Sequence, residues 1–214
     1  MPLLLVAVAE VVLTAGSVHA RLARTSATRV FASRVSPASI PAAEQSSRTA
    51  RAAARAPGVI KPDTTKINQY VSYDARAKTV AITLIAAATS AQGGFNFNGG
   101  SSGDQTITVP AGWTVNIDFT NHDIIPHSAI VITNQTPIPA MLENAALPRA
   151  YTSHLSDGLP AQTGHDTMHF TASPAGDYLL ACGVPGHATS GMYIHFVVSS
   201  SATAPTNTGT IGPE

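Results

Sequence analysis

The chain has 214 residues, no net formal charge and only 11% charged side chains, which suits one domain with appendages. Residues 1–65 carry eight basic side chains against three acidic ones, whereas residues 66–214 carry four against nine. An acidic body whose last basic residue is Arg149 has nothing to neutralise phosphates, so nucleic acid is excluded as its partner.

The first segment, MPLLLVAVAEVVLTAGSVHA, has an apolar run from Leu3 to Leu13 and a small-residue pattern at Val18-His19-Ala20. This reads as a signal peptide over residues 1–20, although no positive charge precedes the run and Glu10 lies inside it. The run is too short and interrupted to predict a membrane span. Residues 21–65 are rich in Ala, Arg, Ser, Thr and Pro and poor in large apolar side chains. Such a segment buries too little surface to offset its ordering entropy, so a disordered linker is expected there.

From Ile67 the texture changes to alternation with period two, the pattern of half-buried strands. Strands are predicted over Ile67–Tyr73, around Val80–Ala86, at Phe95 and Phe97 between asparagines, and around Ile107 and Val109. Trp113, Val115, Ile117 and Phe119 alternate with polar residues in the cleanest strand of the chain. Ser128–Thr133, Asp166–Thr171, Asp177–Cys182 and Met192–Ser199 complete the set, separated by the turn sequences GGSSGD, PAG, SPAG and GVPG. Many short strands without a long helical period predict an all-β sandwich over residues 66–200. One connection, Asn134–His165, is far longer than a turn and is expected to be a packed or functional excursion with one helical turn at Met141–Ala146. Residues 201–214 read as a disordered tail.

A single cysteine cannot form an internal disulfide, and the count alone leaves the compartment open. Cys182 ends one predicted strand, Met192 opens the next, and His187 lies in the loop between them beside Pro185 and two turn glycines. A hairpin closing there brings a thiolate, an imidazole and a thioether to one point. That soft donor set matches copper better than zinc, calcium or magnesium. The second imidazole is expected from His127, which directly precedes the apolar strand in NHDIIPHSAIVI. Two histidines and a cysteine in a trigonal set, with a long axial methionine, describe a blue-copper electron-transfer site.

The spacing C-x(4)-H-x(4)-M, with an upstream Pro-His pair, resembles the cupredoxins. Within them, FNFNGGSSGDQTITVPAGWTVNIDFTN and CGVPGHATSGM are similar to the sulfocyanins, with rusticyanin a near relative. The resemblance covers roughly residues 66–199. It implies a Greek-key β-sandwich with one type 1 copper ion near one end, and ligand roles for His127, Cys182, His187 and Met192. One departure is Ser128, where most cupredoxins have an asparagine that ties the two ligand loops together. With the tie altered, a high reduction potential is expected, since hydrogen bonds around the sulfur tune it.

The function implied is that of a mononuclear electron carrier with no catalytic residues, a high-potential member of a respiratory chain. Its partners would be redox proteins, a cytochrome or a terminal oxidase, met by a monomer in the periplasm or another extracytoplasmic space, free or tethered by its N-terminus. The alternative is the copper-binding domain of a copper oxidoreductase or a copper-handling protein. Multicopper oxidoreductases need further histidine-rich centres that this chain is too short to hold, and binuclear copper modules need two cysteines. Chaperones use exchangeable donor sets, not a closed site with a thiolate. Of the remaining histidines, His122 is read as a loop-surface residue. His154, His165 and His169 are close in sequence, with His165 and His169 on one strand face, and a surface role is the plainer reading than a second metal site.

Overall fold

The computed structural model describes residues 63–213. The leader expected over residues 1–20 and most of the linker expected over 21–65 lie outside the described residues. Ten strands form two five-stranded sheets. The first sheet holds β1 (Thr64–Lys66), β2 (Val71–Asp74), β3 (Thr79–Ala86), β5 (Thr114–Asn121) and β7 (His165–Thr171), in that order. In the second, β10 (Thr206–Gly209), β4 (Gln105–Pro110), β9 (Tyr193–Ser199), β8 (Gly176–Ala181) and β6 (Ile130–Thr133) follow one another. One pair in each sheet is parallel, β3 with β5 and β4 with β9, and the others are antiparallel.

The alternating strands fold as their period requires. Val80, Ile82, Leu84 and Ala86 of β3 point inward, as do Val115, Ile117 and Phe119 of β5, while the residues between them reach the other face. They meet Ile107, Val109, Ile194, Phe196 and Val198 from the second sheet in one core. Phe97, Phe119, Phe170 and Phe196 are fully buried in it, each contributing about 1.5–3 kcal/mol of transfer free energy. Trp113 and Tyr178 are buried aromatics, as expected.

β6 and β8 differ, because their apolar runs (AIVI and YLLA) do not alternate. Both of their faces are covered, the inner by the main core and the outer by a second cluster of Ile130, Ile132, Leu142, Leu179, Ala181 and Ala188. The cover is the long connection between β6 and β7. Its residues 146–152 run along β6, exchanging backbone bonds with it: Ala146 N–H to Val131 O, Val131 N–H to Ala150 O, and Thr152 N–H to Ala129 O. An edge strand that would otherwise expose unpaired amides is thereby closed.

Four sequence expectations are corrected. The linker does not extend to residue 65, because Thr64–Lys66 pairs with Ser72–Asp74. Residues 201–214 are not a free tail: Thr206–Gly209 pairs with Gln105–Thr108, its polar sequence suiting an edge strand. Phe95 and Phe97 are not in a ladder strand; a 3-10 turn at Ala91–Gly94 precedes them, and Phe97 makes only isolated bridges to Ala86 and Gly100. The buried side chains of Asn96 and Asn98 bond backbone groups here, Asn98 both accepting from Ile85 N–H and donating to Thr83 O. Met141–Ala146 forms no helical turn; it is an irregular, bent segment that contributes Leu142 and Ala145 to the second cluster. Among the described residues no helix is long and apolar enough to cross a membrane.

Candidate metal centre

β8 carries the chain to Cys182 and β9 takes it away from Met192, so the loop between them is anchored at both ends. Cys182 N–H donates to Met192 O at 3.0 Å, and Met192 N–H donates back into the loop, to His187 O, at 3.0 Å. Inside, His187 N–H reaches Val184 O and Ser190 N–H reaches Gly186 O, a tight coil of turns that places the His187 ring over the cysteine. Gly191 has φ +98°, and a Cβ there would lie 2.6 Å from Ser102 Oγ, so a glycine is needed for the loop to close against residue 102. Gln92 Nε2 donates to Ser190 O from the 3-10 turn at 3.2 Å.

His127 arrives from the other ligand segment, just before β6. Its Nδ1 lies 3.1 Å from Nδ1 of His187 and 3.7 Å from Sγ of Cys182, and His187 Nδ1 lies 3.5 Å from the same sulfur. These three donor atoms fall within 4.8 Å of one another, the one such cluster found among the described residues. Met192 is fully buried in the same core cluster as Cys182. Phe95 packs against both imidazoles, with ring centroids 4.7 Å from His187 and 6.0 Å from His127.

Burial sets the proton affinities. The Cys182 thiol is pushed up to about 11 by removal from water, the Ser128 amide working in the opposite direction. Burial also lowers His127 below the usual histidine range, against the pull of Asp123, and brings His187 down to about 4 with the help of its neighbour His127. His187 therefore stays neutral, with a lone pair available, well into the acidic range, and His127 is shifted in the same direction. An isolated thiolate is unfavourable here, so a soft cation that replaces the thiol proton is what the site is suited to accept. One thiolate and two imidazoles facing inward on Nδ1, with a buried thioether in the same cluster, fit copper by donor chemistry.

Two contacts around the donors were not legible in advance. Ser128 makes an altered tie between the two segments: Gly183 N–H donates to Ser128 Oγ at 3.1 Å, and Ser128 Oγ–H donates to Leu155 O at 2.6 Å. The Ser128 amide also points at Cys182 Sγ, 3.5 Å away. The second contact is Asp123, whose Oδ2 lies 2.8 Å from His127 Nε2. Its only sequence signal is a carboxylate four residues before a candidate ligand.

Among the described residues, the remaining histidines do not join the site. His122 is exposed on its loop, and His154 is exposed on the long connection. His165 and His169 share the outer face of β7, where they bond Asp118 and Asn116. Ile124 is 77% exposed, so the apolar shell of the donors comes from Phe95, Ala129, Leu159 and Val184 and not from the Ile-Ile-Pro segment.

A two-sheet sandwich with a Cys-His-Met loop between its last two core strands and a histidine before a neighbouring strand defines a cupredoxin, a class of blue-copper electron carriers that are not enzymes. Residues 66–209 match the family described as the sulfocyanin (SoxE) domain. The chain is 37% identical over 140 residues to sulfocyanin of Sulfolobus acidocaldarius, covering 62% of this chain and 70% of that protein. It is 35% identical over 92 residues to auracyanin-A of Chloroflexus aurantiacus, covering 38% of this chain and 57% of that one. A rusticyanin crystal structure is 25% identical, with a TM-score of 0.45 over 64% of this chain and 88% of its own. The chain belongs to the sulfocyanin family, and the cofactor of that family, one type 1 copper ion, is the ion its donor set fits.

Proposed function

We propose that His127 Nδ1, Cys182 Sγ and His187 Nδ1 are the equatorial ligands of the copper ion, with Met192 as its axial ligand, and that the protein is a high-potential carrier. The convergence of three donor atoms within 4.8 Å, on a thiol and two neutral imidazoles, is the observation that carries this reading. One-electron exchange between Cu(II) and Cu(I) is the chemistry the ion supplies when bound. The residues hold the donors in one arrangement for both states: the Ser128 amide donates to the Cys182 sulfur, Met192 O accepts from the Cys182 backbone, and Phe95 seats the imidazoles. His127 is fully buried and His187 is half-buried, so the His187 ring is the donor that a partner protein can approach. Solvent exclusion around Cys182 disfavours the more charged oxidised site and raises the potential.

That setting suits a carrier that delivers electrons to a strong acceptor in a respiratory chain, such as a cytochrome or terminal oxidase. An extracytoplasmic location accords with the apolar run at Leu3–Leu13. The domain would span residues 64–209, from β1 to β10. The test is the visible spectrum of the copper-loaded protein. An intense blue thiolate-to-copper band is expected, absent from Cys182→Ser. A protein that binds copper but stays colourless, with an ordinary tetragonal EPR spectrum, overturns the ligand assignment.

A further inference from the structure

A neutral imidazole carries one N–H, and whichever nitrogen holds it cannot ligate a metal through a lone pair. The two imidazoles of the site are held by different means. His187 is seated by packing, against the Phe95 ring. His127, fully buried, has its Nε2 2.8 Å from Oδ2 of Asp123, whose side chain is itself only 14% exposed.

The Asp123 carboxylate is a built feature and not a passing surface contact. Its Oδ1 accepts the Ile124 N–H at 2.7 Å. Its own amide donates to Asn121 Oδ1 at 2.9 Å, and its carbonyl accepts from Gln162 N–H at 2.8 Å. Asn121 Nδ2 in turn donates to Ile125 O, Leu159 O and Pro160 O, locking the turn that carries Asp123. Across the site, Gly94 leaves room for the carboxylate: with φ +95°, a Cβ there would lie 2.6 Å from Asp123 Oδ2. Three separate segments thus agree on where this carboxylate sits.

We propose that Asp123 is a positioning residue for the metal centre, fixing His127 as the Nε2–H tautomer and lowering the reduction potential. A carboxylate can only accept, so Nε2 must donate and the Nδ1 lone pair is left facing Cys182 and His187. The charge does more than orient the ring. Transmitted through the hydrogen bond, it increases donation from Nδ1 and favours the more positive Cu(II) state over Cu(I). Asp123 therefore opposes the solvent-excluded shell, and the potential is set by the balance of the two. The inference rests on the ligand assignment made above.

The experiment measures the potential by voltammetry, with visible and EPR spectra, for the copper-loaded full chain, three single variants and one double variant. Asp123→Asn keeps an acceptor of the same shape and removes the charge; it is expected to stay blue with a higher potential. Asp123→Ala loses both and is expected to bind Cu(II) about 10–100-fold more weakly, the usual effect of removing an outer partner of a ligand histidine. Gly94→Ala, which displaces the carboxylate, is expected to raise the potential in the wild-type background but not alongside Asp123→Ala. A blue Asp123→Asn with an unchanged or lower potential overturns the role of Asp123 while leaving the ligands in place. A wild type that never turns blue overturns the ligand assignment itself. Should Asp123→Ala fail to fold, the isosteric Asn variant decides alone.

Discussion

The outer faces of the two sheets meet their surroundings in opposite ways. On the first sheet, Thr83, Asn116, Asp118, His165 and His169 face solvent, and His165 bonds Asp118 and His169 bonds Asn116 along the surface. On the second, Ile130, Ile132, Leu179 and Ala181 lie beneath residues 134–164. The metal centre leans on the covered sheet. Ser128 reaches Leu155 O, His127 exchanges backbone bonds with Leu159, and Gly186 N–H in the Cys182–Met192 loop donates to Ala140 O, all within the cover. The difference teaches that the long connection is structural support for the ligands, whereas the bare face is free to vary.

The strongest way to break this comparison is to cut the cover away from the core. Leu147, in the middle of the connection, is fully buried in the main cluster. Leu147→Ala is expected to cost about 2–5 kcal/mol in urea unfolding of the metal-free protein. A loss below about 1 kcal/mol would mean that the connection is not part of the cooperative fold. A subtler cut is Ser128→Ala, which leaves Gly183 N–H and Leu155 O without their shared partner. It is expected to cost about 1–3 kcal/mol and to shift the potential, since the backbone beside Cys182 is released. Unchanged stability and potential would show that the cover merely lies beside the ligands. On the bare face the expected effect is smallest. His165→Ala and His169→Ala should each change unfolding free energy by no more than about 0.5 kcal/mol and leave the blue spectrum as it is. Any change in the spectrum would link that face to the centre and end the contrast.

Legibility from sequence followed the same divide. Strands with one face in water carry their own signature, and β3, β5 and β9 emerge within a residue or two of their bounds. The cluster of His127, Cys182 and His187 was legible because Cys182 and His187 lie in one short loop and His127 needed only a strand to follow it. What lay hidden depends on partners distant in the chain. The β10 sequence Thr-Asn-Thr-Gly has no apolar period, because an edge strand bonded to β4 needs none. The alternation at Phe95 and Phe97 mimics a strand, but Gly93 and Gly94 turn the backbone and buried asparagine amides replace the ladder. The form of the altered tie at Ser128 was not legible because Leu155, the acceptor that completes it, is 27 residues away. Asp123 is invisible as a site residue until Gly94 is seen to make space for it.

Gln92 Nε2 on Ser190 O joins residues 98 positions apart, and it does so at the rim of the metal centre. Closing a loop of that length is slow, since its ordering entropy is spent before the contact offers any return. Cys182 and His127 belong to segments 55 positions apart, and Asp123 depends on Asn121, Gly94 and Gln162 all being in place. The β8–β9 hairpin by itself carries Cys182 and His187 but not His127, which arrives with β6. The three-donor arrangement is therefore a product of the folded second sheet and not of the β8–β9 loop alone.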